Sequence, residues 1–295
     1  MSVSASAPST AVSSALATRV ATAAVLVIAV LAALYLLPPY AWGIVMLGVV
    51  TAGAHEWGRL IGLAGAALAI FIAAMLVVGG ALLAAAPPVP GSGWPHAVVV
   101  GACGLATLFW VALGTPAVLL DWQPRSTFAR AAAALVVLVG AFVAVVELQA
   151  RSPWLVLAAM AIVWVADTAA FFAGRRFGRH KLAPLISPGK SWEGAWGGIA
   201  AVVLYALMLV PLAARAGVRA SVDAASIAIW IAFAIVLAAL SIVGDLHESL
   251  LKRRAGVKDS GTLLPGHGGI LDRTDALLAA MPPVALATIA FVAPT

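Results

Sequence analysis

Read from its first residue, the chain is a series of apolar runs separated by short polar interruptions, at 20–37, 41–54, 61–86, 97–119, 131–149, 153–173, 195–214, 224–244 and 276–293. Most approach the ~20 residues that an α-helix needs to cross the ~30 Å hydrocarbon core of a bilayer. They are apolar all round instead of on alternate residues, which excludes a membrane β-barrel, whose strands alternate lipid-facing and lumen-facing positions. The pattern predicts an all-α polytopic membrane protein with about nine transmembrane helices.

Composition supports this. The hydrophobic class makes up 64% of the 295 residues and charged residues only 9%, against about 25% charged in a soluble domain. Residues 1–18 are rich in Ser, Ala and Thr, carry no charged side chain, and read as a flexible tail. The run 20–37 is followed by Pro38, Pro39 and Tyr40, where a cleaved signal wants small residues, so a retained helix is expected. The single cysteine, Cys103, lies inside an apolar run. It excludes an intrachain disulfide and a thiolate metal cluster, and reads as a packing residue.

The net charge of +6 matters less than where the cations fall. With a cytoplasmic N-terminus, all of the 17 Lys and Arg except Arg151, Arg215 and Arg219 lie on the inside, as the positive-inside rule requires. The C-terminus is then outside. A region of transmembrane helices, 19–152, precedes a C-terminal region, 153–295, whose polar residues crowd into two inside loops, 174–194 and 245–275. No fixed-period repeat or matched pair of broken helices occurs, which argues against an inverted-repeat ion-coupled transporter. The lipid bilayer is the expected partner and nucleic acid is not; a homodimer is left open.

The second loop opens while a helix is ending. If that helix continues, Asp245, Ser249 and Lys252, at i, i+4 and i+7, share one face and aim a carboxylate, a hydroxyl and an ammonium at one place. This suits a metal-bound phosphate, and equally a solvated helix end with Lys252, Arg253 and Arg254 serving the positive-inside rule. Next come Gly266, His267, Gly268 and Gly269, whose amides could approach an anion, and then Asp272 and Asp275, which could accept from cations or cap the last helix. The first loop adds Gly189, Lys190 and Ser191, which imitate a P-loop ending but lack its earlier glycine, since Pro184 stands there, and its preceding strand. Asp167, within an apolar run, is a functional-site hypothesis by default, with a buried partner for a neighbouring helix as the alternative. His55, Glu56, Trp57 and Arg59 read as an interfacial anchor without chemistry.

From Ser249 to Asp275 the chain resembles the phosphatidate cytidylyltransferases, the CDP-diacylglycerol synthases. Ser249, Lys252, Arg253, Lys258, Asp259, Gly261, Leu264, Pro265, His267, Gly268, Gly269, Asp272, Arg273 and Asp275 stand where that signature asks for them. The segment 167–194, with Ser187, Pro188, Lys190, Ser191 and Glu193, is also similar, while Phe171 stands where relatives often carry tyrosine. The resemblance implies an enzyme of a bacterial-type inner membrane, with its site on the cytoplasmic side, that makes CDP-diacylglycerol and pyrophosphate from CTP and phosphatidic acid. By the same resemblance Asp245 and Asp272 are metal ligands for Mg²⁺, a second cation being left open, and Asp275 is a supporting acid. Asp245, Asp272, Lys252 and Asp275 form the catalytic set. Ser249, Lys258, Arg273, His267, Lys190, Ser191 and Asp167 form the substrate-binding set. A CTP-dependent enzyme acting on another lipid is the alternative.

Overall fold

The computed structural model describes residues 25, 27–215, 223–264 and 268–291; the expected tail 1–18 and His267 lie outside them. Ten helices follow in chain order: α1 Val27–Leu36, α2 Pro39–Leu60, α3 Gly65–Ala85, α4 His96–Phe109, α5 Thr115–Leu119, α6 Thr127–Arg151, α7 Pro153–Phe177, α8 Trp192–Arg215, α9 Ala224–Ala255 and α10 Leu271–Phe291. Among the described residues seven units are long and apolar enough to cross a membrane: α3, the continuous stretch His96–Leu119, α6, α7, α8, α9 and α10.

Helix starts follow local chemistry. Pro39 and Pro153 stand in the first turns of α2 and α7, where a missing N–H costs nothing. Asp223 caps α9, its carboxylate accepting from Ser226 N at 2.7 Å. The run expected to end at 244 instead continues as helix to Ala255 and stops at Gly256 in the left-handed conformation (φ 71°). Its last turn carries Lys252, Arg253 and Arg254, and cations at a helix C-terminus complement the dipole.

Burial sorts the helices into centre and rim. In α6 and α10, 61% and 50% of the apolar window is inside the protein, against 22% to 33% in the other five. Exposed side chains such as Ile70, Val77, Leu108, Leu204 and Met208 would form sticky patches in water and are solvated by lipid here. Helix α6 packs against α2, α4 and α10, and α10 against α9, α6 and α4, with α7 and α8 paired alongside. Gly244 lets α9 approach α10 closely, since a Cβ there would come 2.6 Å from the Asp275 carbonyl oxygen.

Helix α10 runs through Pro282 and Pro283. Proline at 282 cannot donate to the Leu278 carbonyl, and an unsatisfied carbonyl in lipid is costly. Trp110 Nε1 fills that place, donating to Leu278 O at 2.9 Å, from a π-helical turn, Trp110–Gly114, between α4 and α5.

The all-helical expectation misses one feature. Between α7 and α8 a short antiparallel hairpin forms from β1 Lys181–Ala183 and β2 Ser187–Ser191. Glu193 ties its base, accepting from Arg179 N at 3.1 Å and meeting His180 Nδ1 at 2.7 Å.

Candidate functional site

The site lies where α9 ends and α10 begins, with the hairpin alongside. Because α9 is continuous through this stretch, Asp245, Ser249 and Lys252 occupy one face. The Ser249 hydroxyl reaches Asp245 Oδ1 at 3.4 Å. Lys190, delivered by β2, places Nζ 2.7 Å from Asp245 Oδ2. Lys252 Nζ sits between Glu248 Oε2 at 2.5 Å and Asp272 Oδ1 at 2.6 Å. Asp275 follows on α10, its Oδ1 accepting from Ala276 N at 2.8 Å, within electrostatic range of Asp245, Lys190 and Lys252. From α7, Asp167 lies within electrostatic range of both Asp245 and Lys190.

Two lysines thus face Asp167, Asp245, Glu248, Asp272 and Asp275. Partly buried carboxylates in excess over their cations are costly unless further positive charge joins them. The arrangement suits a ligand that arrives with its own cation.

The loop before α10 is organised by carboxylates of the chain itself. Asp272 Oδ2 accepts from Ser260 N at 2.9 Å, Ser260 Oγ at 2.9 Å and Gly269 N at 2.8 Å. Glu56, reaching across from α2, accepts from Ile270 N at 3.0 Å, Leu271 N at 2.9 Å and Ser260 Oγ at 3.0 Å. Of the amides in the glycine-rich stretch, that of Gly269 is therefore occupied from within, as are those of Ile270 and Leu271 after it. Glu56, read from sequence as part of an interfacial anchor, is only 3% exposed and belongs to the site. The glycine at 269 is required because a Cβ there would lie 2.6 Å from Glu56 Oε1.

The other expected residues differ in exposure. Lys258 is exposed on the loop after α9, and Arg273 is exposed in the first turn of α10. Ser191 is buried at the start of α8, its Oγ accepting from Gly194 N at 3.2 Å, as a helix cap does. Gly189, Lys190 and Ser191 lie in a β-strand and not in a phosphate-cradling loop. Glu248, which the sequence reading assigned no role, bonds Lys252 directly. His247 is packed among the rings of Trp57, Phe109 and Trp110, with centroids 5.9, 5.9 and 5.4 Å away. Behind it lies a cavity of about 140 Å³ with apolar walls from Trp57, Ile61, Phe109, Leu113 and Leu251, and with Gln123 and Arg130 also in its lining.

A helical membrane bundle with lysine–carboxylate pairs gathered at one end has the makings of a phosphate-handling membrane enzyme. The sequence model of the cytidylyltransferase family matches residues 17–291, and the chain belongs to that family. It is 37% identical over 272 residues to a phosphatidate cytidylyltransferase of Pseudomonas aeruginosa, covering 90% of this chain and 93% of the relative. To the phosphatidate cytidylyltransferase of Haemophilus influenzae it is 45% identical over 129 residues, 44% of this chain and 43% of that one. With that of Brucella suis the identity is 48% over 122 residues, 41% of each chain. The chain is accordingly a nucleotidyltransferase with membrane helices.

Proposed function

We propose that the chain transfers the cytidylyl group of CTP to phosphatidic acid at the cluster of Lys190, Asp245, Lys252 and Asp272. The observation that carries this reading is the near full-length similarity to a phosphatidate cytidylyltransferase. The cluster's chemistry agrees: two ammonium groups, each held by carboxylates, can supply the neutralising charge that a polyphosphate needs.

In the reaction a phosphate oxygen of phosphatidic acid attacks the α-phosphorus of CTP. The new P–O bond forms as the bond from the α-phosphorus to the bridging oxygen breaks, and pyrophosphate leaves with that electron pair. The nucleophile is already an anion, so alignment and charge neutralisation supply most of the rate. Lys190 and Lys252 keep spare N–H donors for phosphate oxygens while still paired to Asp245 and Asp272.

The donor set fits Mg²⁺, which is held by one or two carboxylates together with substrate phosphates and water. Among the described residues Asp245 Oδ1 has only a long 3.4 Å bond from Ser249, and Asp272 Oδ1 bonds Lys252 alone, so each keeps a lone pair. Among the described residues no group of three or more His, Cys, Asp or Glu gathers for a metal, so the nucleotide's phosphates and water would have to supply the rest of the ion's ligands. Mg²⁺ held by Asp245 and Asp272 would offset charge on the triphosphate. Asp275, with Asp167 and Glu248, tunes the field of the cluster.

The charge bias supports nine spans and a cytoplasmic N-terminus and site, and the bacterial relatives support an inner-membrane location. The apolar cavity behind His247 supports a lipid acceptor, with room for part of an acyl chain.

The test is incubation of the purified chain in mixed micelles with labelled CTP, phosphatidic acid and Mg²⁺. Lipid-extractable cytidine label that disappears with chelator is expected. No label transfer to phosphatidic acid from folded protein would turn the assignment to another lipid acceptor.

A further inference from the structure

We infer that Glu56 is a positioning residue for this site: from α2, outside the signature region, it fixes the loop that presents Asp272 to Lys252. The inference rests on the nucleotidyltransfer reading for its activity measurement, though not for its structural one.

Asp272 divides its two oxygens between two tasks. Oδ1 meets Lys252 Nζ at 2.6 Å, while Oδ2 collects Ser260 N, Ser260 Oγ and Gly269 N. The direction of Oδ1 therefore depends on where Ser260 and Gly269 lie. Glu56 sets both places. It shares the single Ser260 hydroxyl proton with Asp272 and accepts the amides of Ile270 and Leu271, immediately after Gly269. Its carboxylate also occupies the space that side chains at 261 and 269 would need.

The location suits an anion. The first amides of a helix lack intrahelical acceptors, and α10 begins at Leu271, which is 1% exposed and out of reach of bulk water. A carboxylate there also complements the helix dipole. Among the described residues no ion pair involves Glu56, so its bonds go to loop donors and not to a neutralising cation. A surface anchor would need none of this.

The test compares Glu56→Ala and Glu56→Gln with the unmodified chain in detergent, measuring kcat, KM for CTP, and hydrogen exchange at amides 260 and 269–271. For Glu56→Ala, kcat falls about 100-fold, the cost of a misplacement near 1 Å, while KM for CTP stays within about threefold. Exchange at those amides accelerates. Added formate, a carboxylate small enough for the vacated space, slows the exchange and recovers at least about tenfold in kcat, because alignment returns with the anion. Glu56→Gln, equal in volume, loses less, since one amide oxygen still accepts while the NH₂ opposes a backbone donor. Unchanged kcat in Glu56→Ala overturns the inference. So does formate that restores exchange protection without restoring kcat, which marks Glu56 as structural alone. Should Glu56→Ala fail to fold, Glu56→Gln carries the same readings. If even the unmodified chain transfers no cytidylyl group, the functional reading fails, and unaltered exchange in Glu56→Gln is then what would sink the positioning role.

Discussion

Buried glutamates stand at both ends of the bundle, and they do different things. At the end away from the site, Glu147 is fully buried, accepting from Trp94 N at 2.6 Å and paired with Arg151 at 2.5 Å, one turn along α6. Two residues on, Gln149 Nε2 donates to the carbonyls of Leu34 and Leu37 at 3.2 and 3.0 Å. These bonds staple α1 and the stretch before α4 onto the central helix. At the site end, Glu56 and Asp272 also hold a loop, but beside Lys190, Lys252, Asp245, Glu248 and Asp275, which come from three elements and whose carboxylates outnumber the two lysines. Burial of a carboxylate in a membrane protein is therefore weak guidance to chemistry. Unbalanced charge converging from several helices is stronger guidance.

The largest expected effect is at Asp272. In Asp272→Asn the amide NH₂ must face either the Lys252 ammonium or the donors of Ser260 and Gly269, and both orientations oppose donor to donor. Cytidylyl transfer should drop by about 10³-fold, while the protein stays monodisperse in detergent because the helices keep their packing. Near-normal turnover would remove Asp272 from the site and leave the two ends alike.

Much of this end was legible in the sequence. The i, i+4, i+7 spacing of Asp245, Ser249 and Lys252 required only that the helix continue, and the cationic last turn with Gly256 let it do so. Apolar runs long enough to span located the helices, although their charged ends made 244 and 276 poor boundaries for α9 and α10. Glu56 was not legible by neighbourhood. Its partners Ser260, Ile270 and Leu271 are 204 to 215 positions away, and beside Trp57 and Arg59 a carboxylate resembles an interfacial anchor. One signal existed: a carboxylate following a long apolar stretch calls for a partner, the argument applied to Asp167. Gly269 was read as letting its amide approach an anion, whereas it, like Gly261, makes room for Glu56. Nothing in the periodicity marks the hairpin, because β1 and β2 are held by pairing and by Glu193 more than by an alternating pattern.

An effect of another kind is expected at the opposite end. Glu147→Gln removes the carboxylate from an ion pair whose side chains are 10% and 0% exposed, and breaking a buried pair from one side costs about 3–5 kcal/mol. Thermal unfolding in detergent should reveal that loss, while kcat measured well below the transition stays unchanged. Loss of turnover without loss of stability would mean that the staple communicates with the site, and that the ends are not separable in this way.

The smallest effect separates membership of the site from mere nearness to it. Arg254 lies two residues after Lys252 and pairs with Asp121 at 2.7 Å, with side chains 35% and 67% exposed. Arg254 Nη2 also donates to the Asp121 carbonyl at 2.6 Å, a bond that Asp121→Asn retains. Asp121 has a positive φ of 48°, a conformation that asparagine also tolerates. Such an exposed pair contributes at most about 1 kcal/mol and is screened by salt. Asp121→Asn should therefore leave kcat and KM for CTP within about twofold and the unfolding temperature nearly unmoved. A tenfold fall in kcat/KM for CTP would place Arg254 among the groups that meet the nucleotide, and convergence from several helices would then be too narrow a criterion for this site.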